Sequence, residues 1–143
     1  MVVLNKIYTR TGDNGTTALG SGERRMKYDL RVSSYGTVDE TNATIGMARA
    51  LGALDPEMDQ MLSRIQNDLF DLGADLATPE TDEEPPYPPL RIIDSQVDRI
   101  ETDIDTLNAR LEPLRSFVLP GGSKGSAYLH LTRTVSRLSL IHI

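Results

Sequence analysis

The sequence predicts an all-α domain, a bundle of long and mostly antiparallel helices. Apolar residues recur at three- and four-residue steps in four separate stretches, the period of a helix that buries one face. Three of those stretches open on a side chain suited to accept hydrogen bonds from free amides: Asp55, Asp94 and Ser123. Extended structure is expected only in a short N-terminal segment.

In chain order, Val2–Tyr8 reads as one short strand, followed by a loop rich in glycine and threonine. A first helix runs from about Asp29 to Leu51, with Val32, Tyr35, Val38 and Ile45 on its apolar side. Asp55-Pro56-Glu57 starts the second: a cap, a proline in the first turn, then an acid near the positive helix end. This helix reaches about Ala77 and lines up Met58, Met61, Leu62, Ile65, Leu69, Leu72 and Leu76. Thr78–Pro89 holds five prolines and four acids without periodicity, so it is a solvated loop. Asp94 caps a third helix bearing Val97, Ile100, Ile104, Leu107 and Leu111, and Pro113 stops it. After the irregular Phe117–Gly122, Ser123 caps a last helix with Ala127, Leu131, Val135 and Leu138.

The 143 residues make a single domain, residues 1–143, large enough to bury a core. Apolar residues at 38% and charged residues at 25% are a globular composition. The absence of cysteine removes disulfides, thiolate metal sites and cysteine nucleophiles together. His130 and His142 are the only histidines, which excludes a histidine-rich metal site. No apolar run spans a membrane and no leader opens the chain, so a soluble, cytoplasmic protein is expected. The net charge of −6 is unevenly distributed: +3 over residues 1–35, −13 over 36–112 and +4 over 113–143. Cationic ends brought together by folding would suit a polyanion, and ordinary solvated surface charge is the plain alternative. Nucleic acid is not the expected partner of an acidic chain with few aromatics.

Three constellations have chemistry in them. The stretch Thr9-Arg10-Thr11-Gly12-Asp13-Asn14-Gly15-Thr16-Thr17 combines turning glycines with hydroxyl and guanidinium donors, and Arg24, Arg25 and Lys27 follow closely. That chemistry suits a polyphosphate, although Asp-Asn-Gly equally suits a hairpin turn between short strands. It is not a Walker loop, because Ser21 stands where the lysine belongs. Tyr35, Asp39, Asn42 and Gly46 share one helix face, where Asp39 either sits exposed or needs a cationic partner. His130, Arg133 and Arg137 form a cationic stripe on the last helix, either an anion site or plain basic surface. Asp68, Asp71 and Asp75 line a fourth stripe, which without a histidine reads as solvated acid rather than a metal site.

These segments together resemble the PduO-type ATP:cob(I)alamin adenosyltransferases. The similar stretches are Ile7–Thr17, Gly22-Glu23-Arg24-Arg25 with Lys27, Tyr35–Glu40, Gln66–Ala77, Phe117–Gly122, and Leu129-His130 with Arg133-Thr134, in order from about residue 6 to residue 137. The resemblance implies a five-helix bundle of ferritin-like arrangement, a homotrimer with active sites between subunits, and an ATP-binding segment 1–28 ahead of a helical part 29–143. It implies transfer of the 5′-deoxyadenosyl group of ATP to cob(I)alamin, with Mg2+ on the triphosphate. Thr9, Arg10, Thr11, Gly12, Gly15, Thr17, Ala18, Lys27 and Arg137 would hold ATP. Asp39 and Arg133 would form a buried ion pair between subunits, and Phe117 would push aside the lower axial ligand of the corrinoid. The family pattern beyond Arg137 is not matched by Leu138–Ile143, so the closing helix is expected to be missing. A non-catalytic ATP or cobalamin carrier and an oligomerising structural bundle are the rival expectations.

Overall fold

A computed structural model describes residues 6–81 and 87–142. It contains a hairpin, β1 (Thr16–Ala18) and β2 (Arg24–Met26), and four helices: α1 (Leu30–Leu51), α2 (Pro56–Leu76), α3 (Asp94–Asn108) and α4 (Lys124–Ser139). The fold is the expected mostly helical bundle, and a fifth helix is not among the described residues. The strand expected at Val2–Tyr8 lies partly outside those residues, and Lys6–Tyr8 are not in a strand. The extended segment begins instead at Thr16. It turns back through Gly22, whose φ of +85° and amide bond to Leu19 C=O (2.9 Å) make a three-residue hairpin loop.

Local chemistry sets the helix starts. Asp29, Asp55 and Ser123 each accept a backbone amide of the first turn, from Arg31, Met58 and Ser126. Asp94 is a correction: it is the first helical residue of α3, and Ile93 occupies the cap without a side-chain bond of its own. The Gln96 carboxamide accepts the Ile93 amide at 3.0 Å and fills the role that Asp94 was expected to play. Pro113 does not stop α3 directly, since the helix ends at Asn108.

Helix α1 is the centre, packed against α2 on one side and antiparallel α4 on the other. Its buried residues are Ser34, Val38, Thr41, Ile45 and Ala48, and those of α4 are Gly125, Thr132 and Ser139. Ser34, Thr41 and Ala48 repeat every seven residues, as do Gly125, Thr132 and Ser139. The α1–α4 contact is therefore a seam of small residues with a heptad period. Its hydroxyls are satisfied: Thr41 donates to Thr37 C=O (2.9 Å), Thr132 to Tyr128 C=O (3.0 Å), and Ser34 Oγ lies 2.8 Å from Leu30 C=O and from His142 C=O. This corrects the face assigned to α4 from its apolar residues. Ala127, Leu131 and Leu138 are exposed, because only the glycine–hydroxyl face permits so close an approach.

Helix α3 is attached differently. It has no fully buried residue: Ile100 and Leu107 are half-buried, while Val97, Ile104 and, beyond the helix end, Leu111 are at least half exposed, so only part of the expected apolar face packs inward. Its polar side meets α2 through ion pairs, Arg64–Asp103 (2.9 Å) and Arg99–Asp68 (2.7 Å). Two more pairs flank it, Arg110–Glu57 (2.6 Å) and Arg91–Asp75 (2.9 Å). The acidic stripe Asp68, Asp71, Asp75 is thus not freely solvated but part of this seam, with Arg99 on Asp68, Gln96 on Asp71 and Arg91 on Asp75. No cluster of potential metal ligands occurs among the described residues, and no described helix is long and apolar enough to cross a membrane.

Two outcomes test these contacts. A Cβ on Gly125 would meet Leu54 Cδ2 at 2.7 Å and Gly52 C=O at 2.9 Å. Gly125→Val should therefore lower stability by about 1–3 kcal/mol in thermal or denaturant unfolding, and an unchanged midpoint would refute the tight seam. The Glu57 carboxyl is held below the usual carboxylate range, first by its hydrogen bond from Arg110 and then by that charge. A carboxyl depressed in the folded state adds stability above its ordinary pKa and loses it as pH falls through the lowered value. On acidification, the amides of α3 should lose hydrogen-exchange protection before those of α1. Simultaneous loss in both helices would contradict an electrostatic attachment.

Candidate functional site

The N-terminal loop is a compact arch. Arg10 takes φ +58°, a left-handed turn that lets its carbonyl accept the Asp13 amide (3.4 Å), and its guanidinium lies 5.5 Å above the Tyr8 ring. Gly15 (φ +78°) turns the chain again into β1, and its carbonyl accepts the Lys27 amide at 2.9 Å. Gly12 is tight against Lys27: an added Cβ would lie 3.2 Å from both Lys27 Cε and Nζ. The hydroxyls of Thr9 and Thr11 sit 2.9 Å apart on the exposed side. Asp-Asn-Gly does form a turn, but one leading into β1, while the hairpin's own turn is Leu19–Glu23.

The arch is fixed to the bundle at its far side. Leu19 is buried, the Gly20 amide donates to Ala77 C=O (2.8 Å), and Arg31 donates to Leu76 C=O (2.8 Å). These bonds use carbonyls that the C-terminus of α2 leaves free. Arg25 is neutralised by Glu23 (2.8 Å) and Asp29 (3.5 Å). Arg10, Arg24 and Lys27 have no ion pair among the described residues, so the arch concentrates uncompensated positive charge in an acidic chain.

The residues Tyr35, Asp39, Asn42 and Gly46 share a face of α1 that borders α2, with Asp39 exposed. Asn42 Nδ2 donates to Gln66 C=O (3.0 Å), and Gln66 Nε2 returns a bond to Asn42 C=O (3.1 Å). Arg49 joins them by donating to Gln66 Oε1 (2.7 Å) and pairing with Asp59 (2.8 Å), which holds the Asp59 carboxyl below its usual range. Next to this lock lies a groove of about 330 Å³, lined by Tyr35, Gly36, Asp39, Leu69, Phe70 and Gly73 among others. Asp39 is exposed at its edge, and the buried Asn42 Oδ1 has no partner. Phe70 is a lining residue outside the three constellations that the sequence points to. It is 75% exposed and falls one residue out of phase with the α2 stripe through Leu69, a signal visible in the sequence.

The remaining candidates are dispersed within one chain. Arg133 lines a second cleft of about 500 Å³ with His130, Ser123 and the Gly52–Asp55 turn, and has no ion pair with Asp39. The contacts Gly52–Gly125 and Ser34–His142 put Arg133 within about one helical turn of Asp39 along the bundle axis, and Arg137 level with it. Both arginines are exposed. Phe117 lies in the irregular stretch before α4 at 106% exposure and is not among the residues that line the arch or the groove within one chain. Thr9, Arg10, Thr11, Gly12, Gly15, Thr17, Ala18 and Lys27 are therefore brought together, whereas Asp39, Phe117, Arg133 and Arg137 are not joined to them by any described contact.

Comparison with known proteins gives this arrangement a context. The family model described as cobalamin adenosyltransferase matches residues 7–139. The corrinoid adenosyltransferase of Mycobacterium leprae (strain TN) is 55% identical over 136 residues, covering 94% of this chain and 71% of that protein. The corrinoid adenosyltransferase PduO of Citrobacter freundii is 46% identical over 132 residues, covering 92% of this chain and 38% of that one. A phenylalanine-to-alanine variant of a PduO-type ATP:corrinoid adenosyltransferase from Lactobacillus reuteri, complexed with cobalamin and ATP, superposes with a TM-score of 0.84. It is 33% identical, with 96% of this chain and 75% of that chain covered. An arginine-to-lysine variant from the same organism, complexed with ATP, gives a TM-score of 0.81 at 32% identity, with 95% and 75% covered. The chain belongs to the cobalamin adenosyltransferase family.

Proposed function

We propose that this chain transfers the 5′-deoxyadenosyl group of ATP to the cobalt of cob(I)alamin, releasing tripolyphosphate and forming adenosylcobalamin. The observation that supports it most is the Thr9–Ala18 arch, with unpaired Arg10 and Lys27 beside exposed threonine hydroxyls, in a member of this family. Such an arch holds a polyphosphate by amides, hydroxyls and charge. In the reaction, the cobalt's electron pair forms the bond to C5′ while the C5′–O5′ bond breaks and its pair leaves on tripolyphosphate. No proton need move in that exchange, so no general base is required. The protein's work is to hold C5′ in line and to stabilise charge growing on the leaving group.

The described residues contain no carboxylate cluster for a metal, so Mg2+ fits best as a partner of the phosphate oxygens, with few protein ligands. Arg137 is assigned to the phosphates as well. The corrinoid is assigned to the groove beside Asp39, with exposed Phe117 as the aromatic that excludes its lower ligand. Asp39 and Arg133, both exposed and within about one helical turn of each other along the bundle axis, are assigned to an ion pair between copies in a homotrimer. Use of ATP as donor suits a cytoplasmic enzyme.

Reduced cobalamin, ATP and magnesium mixed with the chain should give the spectrum of a cobalt–carbon bond. ATP binding without product would support the carrier instead. Phe117→Ala should slow transfer at least tenfold while leaving the affinity for ATP within about twofold, and an unaltered rate would remove its role. Asp39→Asn should weaken corrinoid binding or assembly more than ATP binding. Titration with each ligand and sedimentation of the variant distinguish these, and unchanged corrinoid affinity and mass would overturn the pairing.

A further inference from the structure

We propose that Arg24 is a positioning residue for the triphosphate, acting through the backbone of the arch rather than as a phosphate ligand. This inference rests on the reading that the arch binds ATP. Arg24 stands on β2, across the arch from Thr11 and Thr16. Its Nη2 donates to Thr11 C=O at 2.6 Å, to Thr16 C=O at 3.2 Å and to Thr16 Oγ1 at 2.6 Å, and Nε donates to the same hydroxyl at 3.1 Å. One planar guanidinium thus ties together the two ends of the segment that contains Gly12 and Gly15.

The chemistry of that clamp is specific. Turned segments with exposed amides bind anions only while those amides converge, and glycine-containing segments have much freedom to lose. Drawing the Thr11 and Thr16 carbonyls onto one cation turns them away from the anion's side and fixes the arc between them. Neighbouring Arg25 shows the contrast, since it meets two carboxylates and is neutralised. Arg24 meets only carbonyls and a hydroxyl, so its full charge remains under the arch, where it adds attraction for an anion without touching it. A lysine there would retain the charge but lacks the Nε–Nη2 edge that grips the Thr16 hydroxyl while Nη2 holds the Thr11 and Thr16 carbonyls.

The test compares Arg24→Lys, Arg24→Ala and Thr16→Val with the unaltered chain. Both Arg24 variants should raise KM for ATP by roughly tenfold or more, while kcat at saturating ATP and KM for the corrinoid stay within about twofold. Thr16→Val, which removes one acceptor, should show a smaller shift in the same direction. Added methylguanidinium should restore part of the ATP affinity of Arg24→Ala. Without any ligand, hydrogen exchange at residues 12–17 should quicken in both Arg24 variants while α1 keeps its protection. An Arg24→Lys chain with unaltered KM for ATP and unaltered loop exchange would overturn the proposal, since charge alone would then suffice. A parallel rise in both KM values would also overturn it, as the effect would be general. If the unaltered chain bound neither ATP nor inorganic tripolyphosphate, the reading of the arch would fail instead, and ligand-free exchange would still judge the clamp.

Discussion

The close seam between α1 and α4 is the constraint on which the rest of the structure depends. Ser34, Thr41 and Ala48 face Gly125, Thr132 and Ser139, and no side chain on either row is large enough to hold the helices apart. Their hydroxyls bond to carbonyls of their own helices or to His142, so the seam carries little desolvation penalty. With α4 committed by this face, Leu131 and Leu138 are turned outward, and Arg133 and Arg137 are presented along the flank of the bundle. The opposite side of α1 is left to α2, and there Asn42, Gln66 and Arg49 lock the register that shapes the groove at Asp39.

The N-terminal arch inherits its rigidity from that frame. It is anchored to the carbonyl end of α2 by Gly20 and Arg31 and plugged by Leu19, so the exposed part need only hold its own curvature. The charge pattern has a consequence here. Most described arginines of the acidic middle are matched to carboxylates in or beside the α1–α2 and α2–α3 seams, while Arg10 and Arg24 of the arch and Arg133 and Arg137 of α4 are not. Uncompensated positive charge therefore gathers at the arch and along α4, despite a net charge of −6.

The α2–α3 contact follows a different logic from the α1–α4 seam. Charged pairs near the surface contribute little each, and their desolvation is small because the side chains stay partly in water. Such a seam fixes alignment more than it stabilises. It leaves Val97 and Ile104 of α3, and Leu111 beyond its end, largely uncovered within the chain, although the same period half-buries Ile100 and Leu107. Periodicity identifies which residues share a face, and it does not say which neighbour, if any, that face meets.

By itself the sequence determined the helices, their starts near Asp29 and at Asp55 and Ser123, and the turning loop whose donors suit a polyphosphate, because capping and turning are local and are written in adjacent residues. Its ordered motifs also identified the family, which the comparisons bear out over residues 7–139. Only the tertiary structure decided which faces meet. Small and hydroxyl residues won the central seam over leucines, because close approach depends on the absence of bulk, and apolar periodicity does not register absence. Only the fold likewise revealed that Arg24 binds carbonyls while Arg25 binds carboxylates. Adjacent arginines look alike in a sequence, and alternation along a strand sends them to opposite sides.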